Sequence, residues 1–77
     1  MKTYVAVEVR FDEAGGMRPL CILWEDGRRF AIVRVEDVRR AASLKAGGTG
    51  MRYRCSIGGH ETYLYYEDPR WFVDSLM

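Results

Sequence analysis

Apolar and polar residues alternate along most of this chain with a period of two, which is the pattern of strands that bury one face. In residues 3–11, for example, Val5, Val7 and Val9 fall on one side and Glu8 and Arg10 on the other. Four further segments repeat the alternation, at residues 17–25, 29–35, 51–57 and 60–67. The alternation therefore predicts five short strands.

Turn residues separate the predicted strands. Asp26-Gly27 and Gly58-Gly59 stand between apolar runs, and glycine allows the positive φ angles that tight hairpins need. Residues 12–16 predict another turn, and Asp68-Pro69 ends the fifth strand. Residues 71–73 then predict a last short strand or a 3₁₀ turn.

Residues 36–46 depart from this alternation. Their apolar positions recur at a spacing near that of an α-helix: Val38, Ala41, Ala42 and Leu44, with Val35 before them. This spacing predicts one short helix that ends at Gly47-Gly48, followed by a flexible loop over residues 47–50.

The predicted elements fit one small all-β domain over residues 1–77, with one short helix. Five or six short strands around one core usually close into a small barrel, because closure removes exposed strand edges. A chain of 77 residues and 8.9 kDa excludes a multidomain enzyme. A domain of this size buries only about 60% of the surface that its unfolded chain exposes.

Charge is distributed unevenly along the chain although the net charge is only +1. Residues 28–54 hold eight basic and two acidic side chains, a local charge of +6, and both flanking segments are acidic. Such a basic centre can attract anions once the chain is folded.

The cysteines indicate packing rather than chemistry. Cys21 and Cys55 each lie in an apolar stretch, so we expect two reduced core residues in a cytoplasmic protein. With no CxxC pair and a single histidine, the composition argues against an ordinary zinc site. No apolar run is long enough for a signal peptide or a membrane span.

Several segments together resemble a family of short, uncharacterised bacterial proteins. They are a tryptophan with a Gly-Arg hairpin, a valine-flanked basic segment, a basic-aromatic strand, a tyrosine-rich strand and a terminal tryptophan segment, at residues 24–32, 35 and 38–40, 51–55, 61–66 and 71–73. The resemblance covers about residues 4–74. It implies an SH3-like small barrel of five or six strands and carries no catalytic residues. Related domains are attached to proteins that resemble DNA-repair polymerases, which points weakly to nucleic acid.

An enzymatic function is the least favoured interpretation of the residues. His60 follows two glycines at a hairpin turn, and a catalytic pair with a cysteine would need an exposed thiolate. The carboxylates mostly occupy turns and the start of the predicted helix. We therefore expect no cofactor, no metal and no small-molecule substrate.

Binding to a macromolecule is the function that the residues favour. Protein interaction or self-association comes first, with a tyrosine face and Trp71 as its groove, because aromatic and arginine side chains dominate interface hot spots. The alternative is nucleic acid, held by cations on phosphates and by rings on bases. The candidate residues are Arg52 and Arg54 for phosphates, Tyr63 and Tyr65 for stacking, and Arg39 and Arg40 as an extension.

Overall fold

The structure is a computed structural model that describes residues 2–43 and 47–74, with side chains described for residues 2–40 and 50–74. Six antiparallel strands follow one another around a closed barrel. They are β1 (Lys2–Phe11), β2 (Met17–Leu23), β3 (Arg29–Ser43), β4 (Gly47–Ile57), β5 (His60–Glu67) and β6 (Arg70–Asp74). The prediction of an all-β, SH3-like small barrel is confirmed, and the strand number is six.

Strand β1 closes the barrel because its two halves pair with different neighbours. Residues 2–5 pair with β6, whereas residues 6–11 pair with β2. The last segment of the chain is accordingly a strand rather than a 3₁₀ turn. It is preceded by a cis peptide bond between Asp68 and Pro69.

The interior of the barrel is filled by the inward positions that alternation predicts. Leu64 and Cys55 are fully buried, and Tyr53 and Trp71 are almost so. The complete cluster of buried residues is Ile22, Ile32, Tyr53, Cys55, Leu64 and Trp71. The predicted turns are confirmed as well, since Gly27, Gly58 and Gly59 have positive φ.

The predicted helix at residues 36–46 is wrong. Residues 36–43 belong to β3, residues 44–46 lie outside the described residues, and no helix occurs in the part of the chain that the structure describes. In particular, no helix there is long and apolar enough to cross a membrane. The predicted loop at residues 47–50 is also wrong, because β4 begins at Gly47.

Strand β3 contains β-bulges, and one of them accounts for the helix-like step from Val35 to Val38. In the pairing of β3 with β4, Val33 and Glu36 are each inserted as an extra residue. Every bulge adds one residue to a period of two, so Ile32, Val35 and Val38, which lie opposite inward positions of β4, are three apart. Ile32 is buried, whereas Val38 is 44% exposed. Bulges bend and twist a strand, which suits the wall of a small barrel.

A bulge in the pairing of β1 with β2 changes one expected face of β2. Glu8 pairs with Cys21 and Val9 pairs with Pro19, which leaves Leu20 unpaired between them. Leu20 is therefore exposed, and Pro19 is fully buried in its place. The alternation alone places Leu20 on the same side as Ile22, and the bulge reverses this.

Candidate functional site

Strand pairing brings the predicted arginines and tyrosines together on the outer surface of the barrel. Arg52 lies opposite Tyr65 and Arg54 lies opposite Tyr63 in the pairing of β4 with β5. Directly opposite residues share one face of a sheet. The sequence alone does not show whether the arginine side of β4 and the tyrosine side of β5 coincide, and the pairing shows that they do.

Arg52 and Tyr63 form the most exposed contact of this group. The Arg52 guanidinium lies 4.6 Å from the centre of the Tyr63 ring, and Tyr63 is 41% exposed. Among the described residues, no carboxylate lies within ion-pair distance of Arg52. Its charge is therefore held in place by an aromatic ring and is not neutralised by an acid.

Arg54 is more enclosed. Its nearest carboxylate is that of Glu61, at 3.8 Å from Nη1, which is a long ion-pair distance. Its Nε is buried and has no hydrogen-bond partner among the described residues. Arg54 thus brings a weakly paired charge to the same face.

Tyr65 has a supporting position rather than an exposed one. Its ring stacks on Phe72 of β6 with centroids 4.9 Å apart and an angle of 4° between the planes. The edge of Tyr4 in turn meets Phe72 at 5.8 Å. Tyr65 and Phe72 are buried although they point outward, so Tyr63 and not Tyr65 offers an exposed ring.

Tyr4 and Arg70 join this face, although the sequence did not single them out. The Arg70 guanidinium lies 3.9 Å from the centre of the Tyr4 ring, and Tyr4 is 42% exposed. The outward parity of Tyr4 could have been derived from the alternation in residues 3–11. The approach of Arg70 could not, because it depends on the pairing of β1 with β6.

A polar anchor holds the Tyr4 end of the surface. Glu67 accepts hydrogen bonds from the Tyr4 hydroxyl at 3.1 Å and from Lys2 Nζ at 3.1 Å. The hydrogen bond between Lys2 and Glu67 lowers the pKa of the Glu67 carboxyl and raises the pKa of the Lys2 amine. Both groups are therefore charged at neutral pH.

We call Tyr4, Arg52, Tyr63 and Arg70 the Arg–Tyr face. One row of paired residues runs across it from Arg52 through Tyr65 and Phe72 to Tyr4. Adjacent strands lie about 4.8 Å apart, so the row spans roughly 14 Å. It presents two arginines, each stacked on a half-exposed tyrosine, over a buried aromatic layer.

Most arginines of the basic centre have a carboxylate partner in the fold. Five of its arginines lie near carboxylates, in the pairs Arg28–Asp26, Arg29–Glu8, Arg34–Glu36, Arg39–Asp37 and Arg54–Glu61. Four of these contacts are 2.5–2.6 Å long, and the fifth is that of Arg54. Glu36 and Asp37 are already counted in the local charge of +6, and the three partners from outside the segment, Asp26, Glu8 and Glu61, reduce it to +3.

The remaining predicted site residues separate into two groups. Arg39 lies directly opposite Arg52, at the border of the Arg–Tyr face, and the exposed Arg40 follows it. Trp71 does not belong to the predicted groove, because residues alternate along β6 and its ring points inward. There it packs on Tyr53 at 5.2 Å and on Tyr66 at 4.8 Å.

Both cysteines are free and buried. Burial raises the pKa of the Cys55 thiol to about 11, so it is protonated and a poor nucleophile at neutral pH. The described residues contain no cluster of three or more histidine, cysteine or acidic side chains that could hold a metal ion.

A second concave surface lies where β1 exchanges one partner for the other. Beyond the last β1–β2 pair, between Ala6 and Leu23, the two strands diverge and leave a groove of about 250 Å³. Tyr4, Val5, Leu23 and Trp24 are among the residues that line it. We call this the Trp24 groove.

Comparisons with known proteins add no identification. No protein-family model, no curated protein and no solved structure matches this chain. The resemblance to a family of bacterial proteins is therefore unconfirmed, whereas the small barrel that it implied is present.

Proposed function

We propose that this protein is a non-enzymatic binding module that holds single-stranded nucleic acid on its Arg–Tyr face. The observation that supports this proposal most directly concerns Arg52. Its guanidinium is stacked on the half-exposed Tyr63 and has no carboxylate partner among the described residues. Single strands are commonly bound by cations that contact phosphates beside rings that stack on bases.

The surroundings of Arg52 support this proposal. Arg70 lies against the ring of Tyr4, which is about 14 Å from Arg52, at three strand spacings. Here, unlike at Arg52, a carboxylate is close by, because Glu67 accepts a hydrogen bond from Tyr4 and is paired with Arg70. The buried pair of Tyr65 and Phe72 makes a rigid floor between Arg52 and Tyr4. A rigid, partly charged surface of this length suits an extended backbone better than a compact ligand.

The paired arginines limit the strength of such binding. Because most of the basic centre is occupied by carboxylates, only a few phosphates would find a free cation. For a single strand the logarithm of the affinity falls with the logarithm of salt with a slope of about −0.7 per phosphate contacted. We therefore expect modest affinity with a shallow salt dependence.

Arg52→Ala should weaken binding to all single-stranded sequences and reduce the salt slope by about 0.7, because one phosphate contact is lost. The measurement is the fluorescence anisotropy of labelled oligonucleotides titrated with protein at several salt concentrations. The matched control is Arg28→Ala, which removes the same charge from a turn where the arginine is held by Asp26. Equal losses in both variants, or no binding at low salt, would refute the proposal.

We propose protein interaction or self-association as a second function, and the Trp24 groove is the observation that favours it. It combines an apolar wall with the edge of β1 at residues 3–5, where the described residues place a strand on the β6 side only. Extended peptides bind such edges by adding a strand. Two free, buried cysteines suit a reducing compartment, so for either function we propose the cytoplasm.

If the groove joins two copies of the chain, the sedimentation coefficient should rise with protein concentration and depend little on salt. Leu23→Glu should abolish this rise, because a carboxylate would be buried against apolar walls. Leu20→Glu is the matched control, since Leu20 is already exposed on its bulge outside the groove. A coefficient that is independent of concentration would exclude self-association.

A further inference from the structure

Two arginines face each other on the part of the barrel formed by β1 and β2. Arg10 and Arg18 are directly opposite in the β1–β2 pairing, and both are exposed. Among the described residues, neither has a carboxylate within ion-pair distance. Like charges directly opposite each other destabilise a sheet, so this pair carries a cost that no ion pair in the described part of the chain offsets.

A second pair of directly opposed arginines on the barrel has neighbouring groups that reduce the repulsion between the two charges. Where Arg39 faces Arg52, Asp37 takes a hydrogen bond from Arg39 at 2.6 Å, and the Tyr63 ring lies against Arg52. Arg10 and Arg18 have neither kind of contact among the residues that the structure describes.

The carboxylates beside the pair are already engaged. Glu8 is on the same side of β1 as Arg10, but it binds Arg29 at 2.6 Å. Asp12 Oδ1 accepts hydrogen bonds from the amides of Ala14, at 2.9 Å, and Gly16, at 2.7 Å. Asp12 thus closes the turn between the strands and does not pair with either arginine.

A pocket of about 270 Å³ lies between this turn and the two arginines. It is lined by Arg10, Asp12, Gly16, Met17 and Arg18. Backbone hydrogen bonds between Asp12 and Gly16 and between Gly15 and Asp12, 2.9 and 3.0 Å long, hold the turn that forms one wall. The arginines therefore border a concave surface that is partly open to solvent.

We propose that Arg10 and Arg18 form a binding site for a phosphate-type oxyanion. Each guanidinium presents several N–H donors in a planar fork, and a tetrahedral oxyanion can accept from two such forks at once. The anion would remove the repulsion between the two side chains. The negative charge of Asp12 weakens binding but leaves a net positive pocket. This site does not depend on the Arg–Tyr face.

The first test is a titration of the isotope-labelled protein with inorganic phosphate, followed by amide chemical shifts. Shifts at Gly16, Met17 and Arg18 should saturate, and Arg10→Ala or Arg18→Ala should each weaken binding about tenfold, the loss expected for a charged hydrogen bond. Arg28→Ala is the matched control and should leave the affinity unchanged. Asp12→Asn keeps the oxygen that closes the turn but removes its charge, so it should bind phosphate more tightly.

Three results would overturn the proposal. The first is amide shift changes that do not saturate with phosphate, and the second is changes in Arg10→Ala as large as those in the wild-type protein. The third is a loss of phosphate affinity in Arg28→Ala equal to that in Arg10→Ala. Thermal unfolding of each variant without phosphate verifies that it is folded. If Arg10→Ala is unstable, Arg18→Lys provides a second test, because it keeps the charge but loses the fork and should still weaken binding.

The phosphate group could belong to a small phosphorylated molecule or to a nucleic-acid backbone, and competition distinguishes the two. Inorganic phosphate that displaces a labelled oligonucleotide from the wild-type protein, but not from Arg10→Ala, would identify a backbone phosphate. Phosphate binding that leaves oligonucleotide affinity unchanged would identify a separate small-molecule site. Failure of the site would leave the Arg52 titration unaffected, so the two proposals are tested separately.

Discussion

Replacing Trp71 with alanine should remove a large part of the stability of this protein. The Trp71 side chain is 6% exposed and packs on Tyr53 and Tyr66 in the interior of the barrel. Truncating a buried tryptophan costs about 3–5 kcal/mol through lost contacts and the cavity left behind. Folded proteins have roughly 0.05–0.15 kcal/mol of stability per residue, which gives this chain about 4–12 kcal/mol in total.

Urea denaturation followed by circular dichroism measures this loss directly. Tyr63→Ala is the control, because it removes an aromatic ring of the outer surface and should cost less than about 1 kcal/mol. Trp71→Phe should fall between the two, since it keeps an apolar ring at the site. A Trp71→Ala variant as stable as Tyr63→Ala would mean that Trp71 is not part of the core, and would restore it as a binding residue.

Gly50→Ala should produce the second large loss. A Cβ atom at this position would overlap the carbonyl oxygen of Tyr66 and would lie 3.2 Å from the carbonyl carbon. Both are backbone atoms that cannot rotate away, so β4 and β5 would have to separate locally. We expect a cost of about 1–3 kcal/mol, the range for overpacking a closely packed site.

Thermal unfolding and amide hydrogen exchange check this expectation. Exchange should become faster where β4 meets the end of β5, around Met51 and Tyr66, which are paired residues. Gly59→Asn is the control, because Gly59 has φ of +80° with no atom within 4 Å of the place a Cβ would take, and asparagine tolerates this conformation. Wild-type stability in Gly50→Ala would show that the strands are not packed this closely.

The candidate site could be predicted in part from the residues alone. Strict alternation placed Arg52 and Arg54 on one side of β4 and Tyr63 and Tyr65 on one side of β5. Whether those sides coincide depends on the strand register, which the sequence leaves open. The stacking of Arg52 on Tyr63 and the burial of Tyr65 under Phe72 follow only from the assembled sheet.

Charge was the least predictable property of the surface. Along the chain the basic centre reaches +6, but partners such as Glu8 for Arg29 and Glu61 for Arg54 come from outside that segment. Conversely, Arg10 and Arg18 lie in acidic or mixed stretches and have no carboxylate partner among the described residues. Local net charge therefore indicated the segment that holds Arg52 but did not indicate Arg10 and Arg18.

The error at residues 36–46 has a specific physical origin. The spacing of three between Val35 and Val38 can arise from a helix or from a strand with one extra residue. Nothing local distinguishes the two, because the bulge at Glu36 is defined only by the pairing of β3 with β4. Tertiary pairing thus overrode a pattern that, by itself, favours a helix.

The sequence by itself determined the all-β class, the turns and most of the core. These depend on alternation and on glycine and proline chemistry, which act over a few residues. Only the tertiary structure decided the bulges, the partners of the arginines and which outward rings are buried. Those features depend on contacts between strands that are distant along the chain, so their free energies are absent from any local pattern.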